Sequence, residues 1–174
     1  MSLIYITGIS GSGKSAVRSE LLKRGYEAHS TDEDEIAGFY NNETGQAVKN
    51  PDDPNDRTPE WRAHHTWNLS REAVETLAEK TMQKPIFLCG VASNDVGIGD
   101  LFSQVFALNI SAKTLKHRID TRTGNSFGKL PHEFESLLGW QKTAEEDYRK
   151  AGAIIIDGER SVELVVDEIL SKVS

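Results

Sequence analysis

The chain has one cysteine among its 174 residues. Cys89 has no partner for an intramolecular disulfide, which excludes a cross-linked scaffold and points to a reducing cytoplasm. No apolar run approaches the roughly 20 residues that a membrane helix needs, so no membrane partner is expected. A strand pattern begins at residue 3, which predicts that no signal peptide precedes it. Positive charge is in deficit: 20 Lys and Arg stand against 27 Asp and Glu, a net charge of −7. That balance speaks against a nucleic-acid partner, because a polyanion is repelled by an acidic surface. A small ligand held by a few local cations fits better. Internal repeats and low-complexity tracts are also lacking.

What is present begins with Leu3-Ile4-Tyr5-Ile6, an apolar run with the character of a buried strand. It delivers the chain to Gly8-Ile9-Ser10-Gly11-Ser12-Gly13-Lys14-Ser15, a full match to G-x-x-x-x-G-K-[ST]. Glycines at 8, 11 and 13 carry no Cβ, so backbone N–H groups can close around an anion. A helix starting near Lys14 adds unpaired N–H donors and the positive end of its dipole. Lys14 is expected at the β- and γ-phosphates, and the Ser15 hydroxyl on Mg²⁺. The ligand so defined is a nucleoside triphosphate, with ATP and Mg²⁺ as the cofactors.

The length is that of one domain, residues 1–174, able to bury a core. Strand patterns at 3–6, 26–30, 85–89, 104–110 and 153–156 alternate with helix patterns. The helices are expected at 15–24, 58–82, 111–121, 131–150 and from 161 onward, with a brief helical piece at 36–40. This alternation predicts an α/β, three-layer fold with a five-stranded parallel sheet. Thr58-Pro59 reads as a helix start, carrying an N-cap hydroxyl and a proline at the first helical position. The intervening stretch 41–57 is polar and reads as an irregular excursion, long enough to be functional or mobile.

Several triphosphate chemistries share such a loop, and other features discriminate among them. The guanine-reading N-K-x-D motif is missing. The apolar strand 85–89 ends in Cys89-Gly90 rather than in an acid. Asp157 follows an apolar run but reads as a strand end or cap. Arg118 and Arg122 lie four residues apart on one helix face and lead into Thr-Gly-Asn-Ser-Phe-Gly-Lys. Guanidiniums in that position suit the oxygens of a transferring phosphoryl group.

Taken together, these motifs resemble the nucleoside monophosphate kinase-like group of P-loop small-molecule kinases, which includes adenylate, shikimate and gluconate kinases. The resemblance covers nearly the whole chain and implies a P-loop fold with a small lid, here 122–131, and an acceptor-side excursion at 41–58. It implies that Arg118 meets the adenine and Arg122 a phosphate. Gly158-Glu159-Arg160 would line the adenine. The shikimate kinase Asp-x-Asp pair corresponds to Ser30-Thr31-Asp32, its Phe-Arg-x-x-Glu motif to Trp61-Arg62-Ala63-His64-His65, and its triple glycine to Gly90-Val91-Ala92. The departures speak against shikimate. The absence of Asp-Gly-Phe-Pro-Arg speaks against ordinary AMP phosphorylation.

The acceptor site is therefore read from the residues themselves. Asp32 or Asp34, at the carboxyl end of the second strand, could orient or deprotonate a hydroxyl, or cap a helix. Arg62 is expected to bind an acceptor phosphate or carboxylate, with Gly90 nearby. His64 and His65 read as solvated neighbours of two core tryptophans. The expected activity is ATP-dependent phosphorylation of a small molecule such as a nucleoside, nucleotide or shikimate-like hydroxy compound. A P-loop module whose triphosphate state regulates a partner is the alternative. A polynucleotide 5′-end kinase is weakened by the acidic balance. Monomer and homodimer both stay open.

Overall fold

The computed structural model describes residues 2–80 and 84–173. Strand β1 (Leu3–Thr7) feeds the glycine loop, from which α1 (Lys14–Lys23) departs. Then follow β2 (Glu27–Ser30), β3 (Ala37–Asn41), the short β4 (Ala47–Val48), α2 (Pro59–His64), β5 (His65–Leu69) and α3 (Arg71–Glu79). The second half holds β6 (Ile86–Cys89), β7 (Gln104–Asn109), α4 (Ala112–Thr121), α5 (Pro131–Lys150), β8 (Ile154–Asp157) and α6 (Val162–Lys172).

Five strands form a parallel sheet in the order β2-β6-β1-β7-β8, as the alternation of elements predicts. The run Leu3–Thr7 is buried throughout because β1 is central and covered on both faces. Even-numbered Ile4 and Ile6 join Phe87, Phe106 and Leu108 against Val17 and Leu21 of α1 and Val165, Val166 and Ile169 of α6. Odd-numbered Leu3 and Tyr5 face Val74 and Leu77 of α3 on the other side. The period of two along the strand thus splits one sequence run between two cores. A third apolar group, Ile9, Ile110, Leu115, Ile119 and Leu137, lies under the glycine loop and supports it.

The segment between β2 and β6 departs from the sequence reading. Residues 36–40 are not helical: they contribute to β3, which pairs antiparallel with β5 and β4 in a second sheet of order β4-β3-β5. The expected long helix 58–82 is interrupted by β5 between α2 and α3. Its continuation to about Met82 lies outside the described residues. Phe39 explains the interruption. Its ring packs edge-on against Trp61 at 4.8 Å and Trp67 at 4.9 Å, so Trp67 is drawn onto a strand opposite it. Such aromatic pairs contribute about 0.5–1.5 kcal/mol beyond burial, and His65-Thr66-Trp67 has modest helix propensity to set against them. The helix restarts at Ser70, whose side chain accepts a hydrogen bond from Ala73 N–H. The polar stretch 41–57 is partly ordered by β4 and by a 3₁₀ turn at Pro54–Asp56, and it ends on the buried Arg57.

Candidate active site

The glycine loop has the geometry of an anion cradle. Gly8 has φ 138°, and a Cβ there would lie 2.6 Å from the Leu108 carbonyl oxygen, so only glycine fits. Helix α1 is capped by Gly13, which offers no side-chain acceptor to the first-turn N–H groups. Those donors and the helix dipole are thus directed at the loop, where a phosphate would satisfy them. Ser12 is fully buried, Ile9 is buried in the supporting cluster, and Ser15 is exposed on the first turn of α1. Lys14 folds back over the loop: its Nζ donates to Gly8 O at 2.7 Å and Ile9 O at 2.9 Å. Desolvation draws the Lys14 ammonium down to about 8, with Asp32 pulling the other way.

Arg118 and Arg122 converge on the same loop. Arg118 donates to Ser12 O at 2.8 Å, to Gly11 O at 3.4 Å and to Gly158 O at 2.8 Å. It thereby ties the loop to the turn after β8. Arg122 donates to Ser10 Oγ at 3.0 Å and to the Phe127 carbonyl. Desolvation lowers the Arg122 pKa, opposed by Glu133. Arg160 lies apart from this group, ion-paired with Glu168 and, at 3.8 Å, with Asp157. Asp157 itself accepts from Glu159 N–H at 2.9 Å and closes the turn. The residues 8–15, Arg118 and Arg122 are brought together; Arg160 is not among them.

Beside the loop opens a cavity of about 720 Å³, with Ile9 and Ser10 in its wall. Asp32 lines it, accepting from Thr31 Oγ1 at 2.7 Å. Asp34 does not. Its carboxylate accepts from Ser30 N–H at 2.7 Å and lies 3.4 Å from His29 and 3.9 Å from Arg18, which makes it a brace of the turn. Gly90 is not in the wall either: a Cβ there would fall 1.9 Å from Thr31 Oγ1, so the glycine admits Thr31. His65 stacks on Trp61 at 4.2 Å and lines the cavity, whereas His64 faces the surface beyond it.

Arg62 does reach the cavity, but with a partner. It donates to Glu133 Oε1 at 2.7 Å, and Arg57 Nε lies 3.2 Å from the same oxygen. Glu133 is fully buried, and its other oxygen accepts from Gly128 N–H at 2.8 Å. Phe127 lies beneath the Arg62 guanidinium at 4.6 Å. The sequence reading missed Glu133 and Arg57. Glu133 sits three residues into a proline-started helix, where an acid needs no partner; nothing local marks it as buried. Asp95 and Trp140 were missed too and line the same cavity. Burial raises the Asp95 pKa, against its hydrogen bonds with Val96 N–H and Thr7.

No protein-family model matches the sequence, and no curated protein matches it. Solved structures do. A gluconokinase from Sinorhizobium meliloti aligns over 98% of this chain and 90% of its own, with 21% identity and a TM-score of 0.53. A deoxyadenosine kinase from M. mycoides with bound dATP covers 98% of each chain at 18% identity and a TM-score of 0.55. A shikimate kinase from Bacteroides thetaiotaomicron covers 98% of this chain and 97% of its own, at 13% identity and a TM-score of 0.60. All three are P-loop small-molecule kinases. The chain has their fold: the five-stranded parallel sheet, the helices on both faces and the loop at the end of β1.

Proposed function

We propose that the chain is an ATP-dependent phosphotransferase acting on a small molecule. The observation that carries this reading is the continuity of the loop with the cavity: Ile9 and Ser10 form part of the wall that Asp32 also lines. A donor held by the loop and an acceptor held in the cavity would meet in one continuous volume, where proximity favours transfer over hydrolysis. Bound MgATP supplies the transferable phosphoryl group and neutralises its oxygens. For the residues, Lys14 would exchange the Gly8 and Ile9 carbonyls for phosphate oxygens, and Ser15 would hold the metal. Arg118 and Arg122 stabilise charge at the transferring group. Asp32 keeps one oxygen on Thr31 and would present the other to the acceptor hydroxyl, taking its proton as the new O–P bond forms and the bond from the γ-phosphorus to the β,γ-bridging oxygen breaks, with ADP as the leaving group. Segment 122–131 acts as a lid and 41–58 as a cover on the acceptor side, both polar in composition. The single buried Cys89, its thiol pushed up to about 12 by burial, fits a reducing compartment such as the cytoplasm.

The test is ATP consumption against a panel of nucleosides, nucleotides and hydroxy acids, for the native chain and Asp32→Asn. Slow ATP loss alone should rise roughly 100-fold or more with the right acceptor. Asp32→Asn should lower kcat and leave ATP affinity unchanged. ATP hydrolysis that no acceptor accelerates would make the chain a nucleotide-dependent switch instead.

A further inference from the structure

We infer that the acceptor is a hydroxyl compound bearing a flat ring and no negative charge, such as a nucleoside, rather than a phosphate monoester or a carboxylic acid. The inference rests on the phosphotransferase reading above and concerns what that cavity selects.

Charge is the first argument. Four carboxylates line the cavity (Asp32, Asp95, Glu133 and Asp147) against two guanidiniums, Arg57 and Arg62. The wall therefore carries two net negative charges, and it stays negative even with Asp95 protonated. The two arginines share one carboxylate that is fully buried. Taking Arg62 for an incoming anion would strip a buried carboxylate of half its compensation, a cost that an exposed ion pair would not impose. The remaining cations, Lys14, Arg118 and Arg122, bond to the loop or to the turns beside it and face the donor's phosphates. A dianionic acceptor would thus enter a negative pocket already facing a triphosphate.

Apolar surface is the second argument and is independent of charge. Val96 is 69% exposed and Trp140 is 53% exposed, and both line this cavity. They are two of the four large hydrophobic side chains left exposed among the described residues. Phe127 lies near-parallel to Trp140, with ring centroids 6.4 Å apart. Exposed aromatic and aliphatic faces rimmed by polar groups are surface that a ring-bearing ligand would cover. Phosphate or carboxylate recognition has no use for them.

The experiment sets uncharged ring alcohols against anionic probes. ATP consumption is measured with ribo- and deoxyribonucleosides and hydroxymethylpyridines, and with nucleoside 5′-monophosphates and cyclic hydroxy acids. At least one uncharged ring alcohol should exceed every anionic probe by roughly 100-fold in kcat/KM, since juxtaposed like charges cost a few kcal/mol. Asp147 is exposed, so Asp147→Asn leaves the fold intact. That variant should shift the ratio of anionic to uncharged turnover roughly three- to tenfold toward the anion. A purely structural role would lower both rates together and leave the ratio unchanged, which overturns the charge argument. An anionic probe turned over best overturns the inference and leaves the kinase reading standing. ATP hydrolysis indifferent to every probe overturns both.

Discussion

The cations on the two sides of the glycine loop have different partners. Lys14, Arg118 and Arg122 rest on neutral oxygens, the carbonyls of Gly8, Ile9, Ser12, Gly158 and Phe127 and the Ser10 hydroxyl. Arg57 and Arg62 rest on the buried carboxylate of Glu133. A carbonyl bond is readily exchanged for a phosphate oxygen, because the phosphate offers a charge where the carbonyl offers only a dipole. A buried ion pair is not so exchanged, since removing one partner leaves an uncompensated charge. On the proposed reading, the first set is therefore the one free to meet an anion, while Arg57 and Arg62 are held by their ion pair. Sequence alone offers Lys14, Arg118, Arg122 and Arg62 as anion-binding candidates and leaves Arg57 unmarked.

The sharpest break in this comparison is Lys14→Ala. It should lower phosphoryl transfer by about 10³-fold, roughly 4 kcal/mol of transition-state stabilisation, with little change in melting temperature. Steady-state turnover and thermal unfolding of the same preparation check both halves. Comparable turnover in the variant would remove the loop lysine from the mechanism.

Glu133→Gln should do the reverse. Leaving two guanidiniums without their carboxylate should cost about 3 kcal/mol of stability. For a chain of this length that amounts to about 6–12 °C in melting temperature. ATP affinity should change little, because Glu133 bonds to Arg57, Arg62 and Gly128 N–H, outside residues 8–15. Urea unfolding beside ATP titration separates the two effects.

The smallest effect is a pH dependence. In the free protein, desolvation holds Lys14 at about 8 rather than its ordinary 10.5. ATP binding requires the ammonium, so affinity should fall as pH rises through 8, by about tenfold between pH 7 and pH 9. Stability moves the other way. A lysine whose folded pKa is lowered holds its proton more tightly in the unfolded chain, so between 8 and 10.5 this group's cost to the folded state is relieved as pH rises and stability increases. Calorimetric titration of ATP at several pH values, with unfolding measured alongside, tests whether the two trends oppose. Affinity that stays constant through pH 9 would count against Lys14 as the titrating group.

The parts of the fold that were legible are those whose cause is local. Leu3–Ile6 reads as a buried strand because it is continuously apolar, and the glycine loop is fixed by the residues it contains. Thr58, Ser70 and Ser111 each cap a helix by accepting from the backbone N–H three residues on. Ser70 was overlooked because the apolar spacing of Trp61, Trp67, Leu69 and Val74 suits a single helix. That spacing could not register Phe39, which lies more than twenty residues away and draws Trp67 onto a strand. Among the candidate site residues, Asp32 and Asp34 are chemically alike and two positions apart. Only the turn that sends Asp34 back to Ser30 N–H separates them.

By itself, the sequence determined the glycine loop, the alternation that yields the five-stranded parallel sheet, and the two arginines four residues apart at the end of α4. Each depends on residues in contact along the chain, where backbone geometry leaves few alternatives. Only the tertiary structure decided which cations carry a buried ion pair. Arg62 and Glu133 are 71 positions apart, and their 2.7 Å contact exists because α2 and α5 close over one cavity. Burial makes that contact hard to undo, for a carboxylate removed from water is stable only with its partners in place.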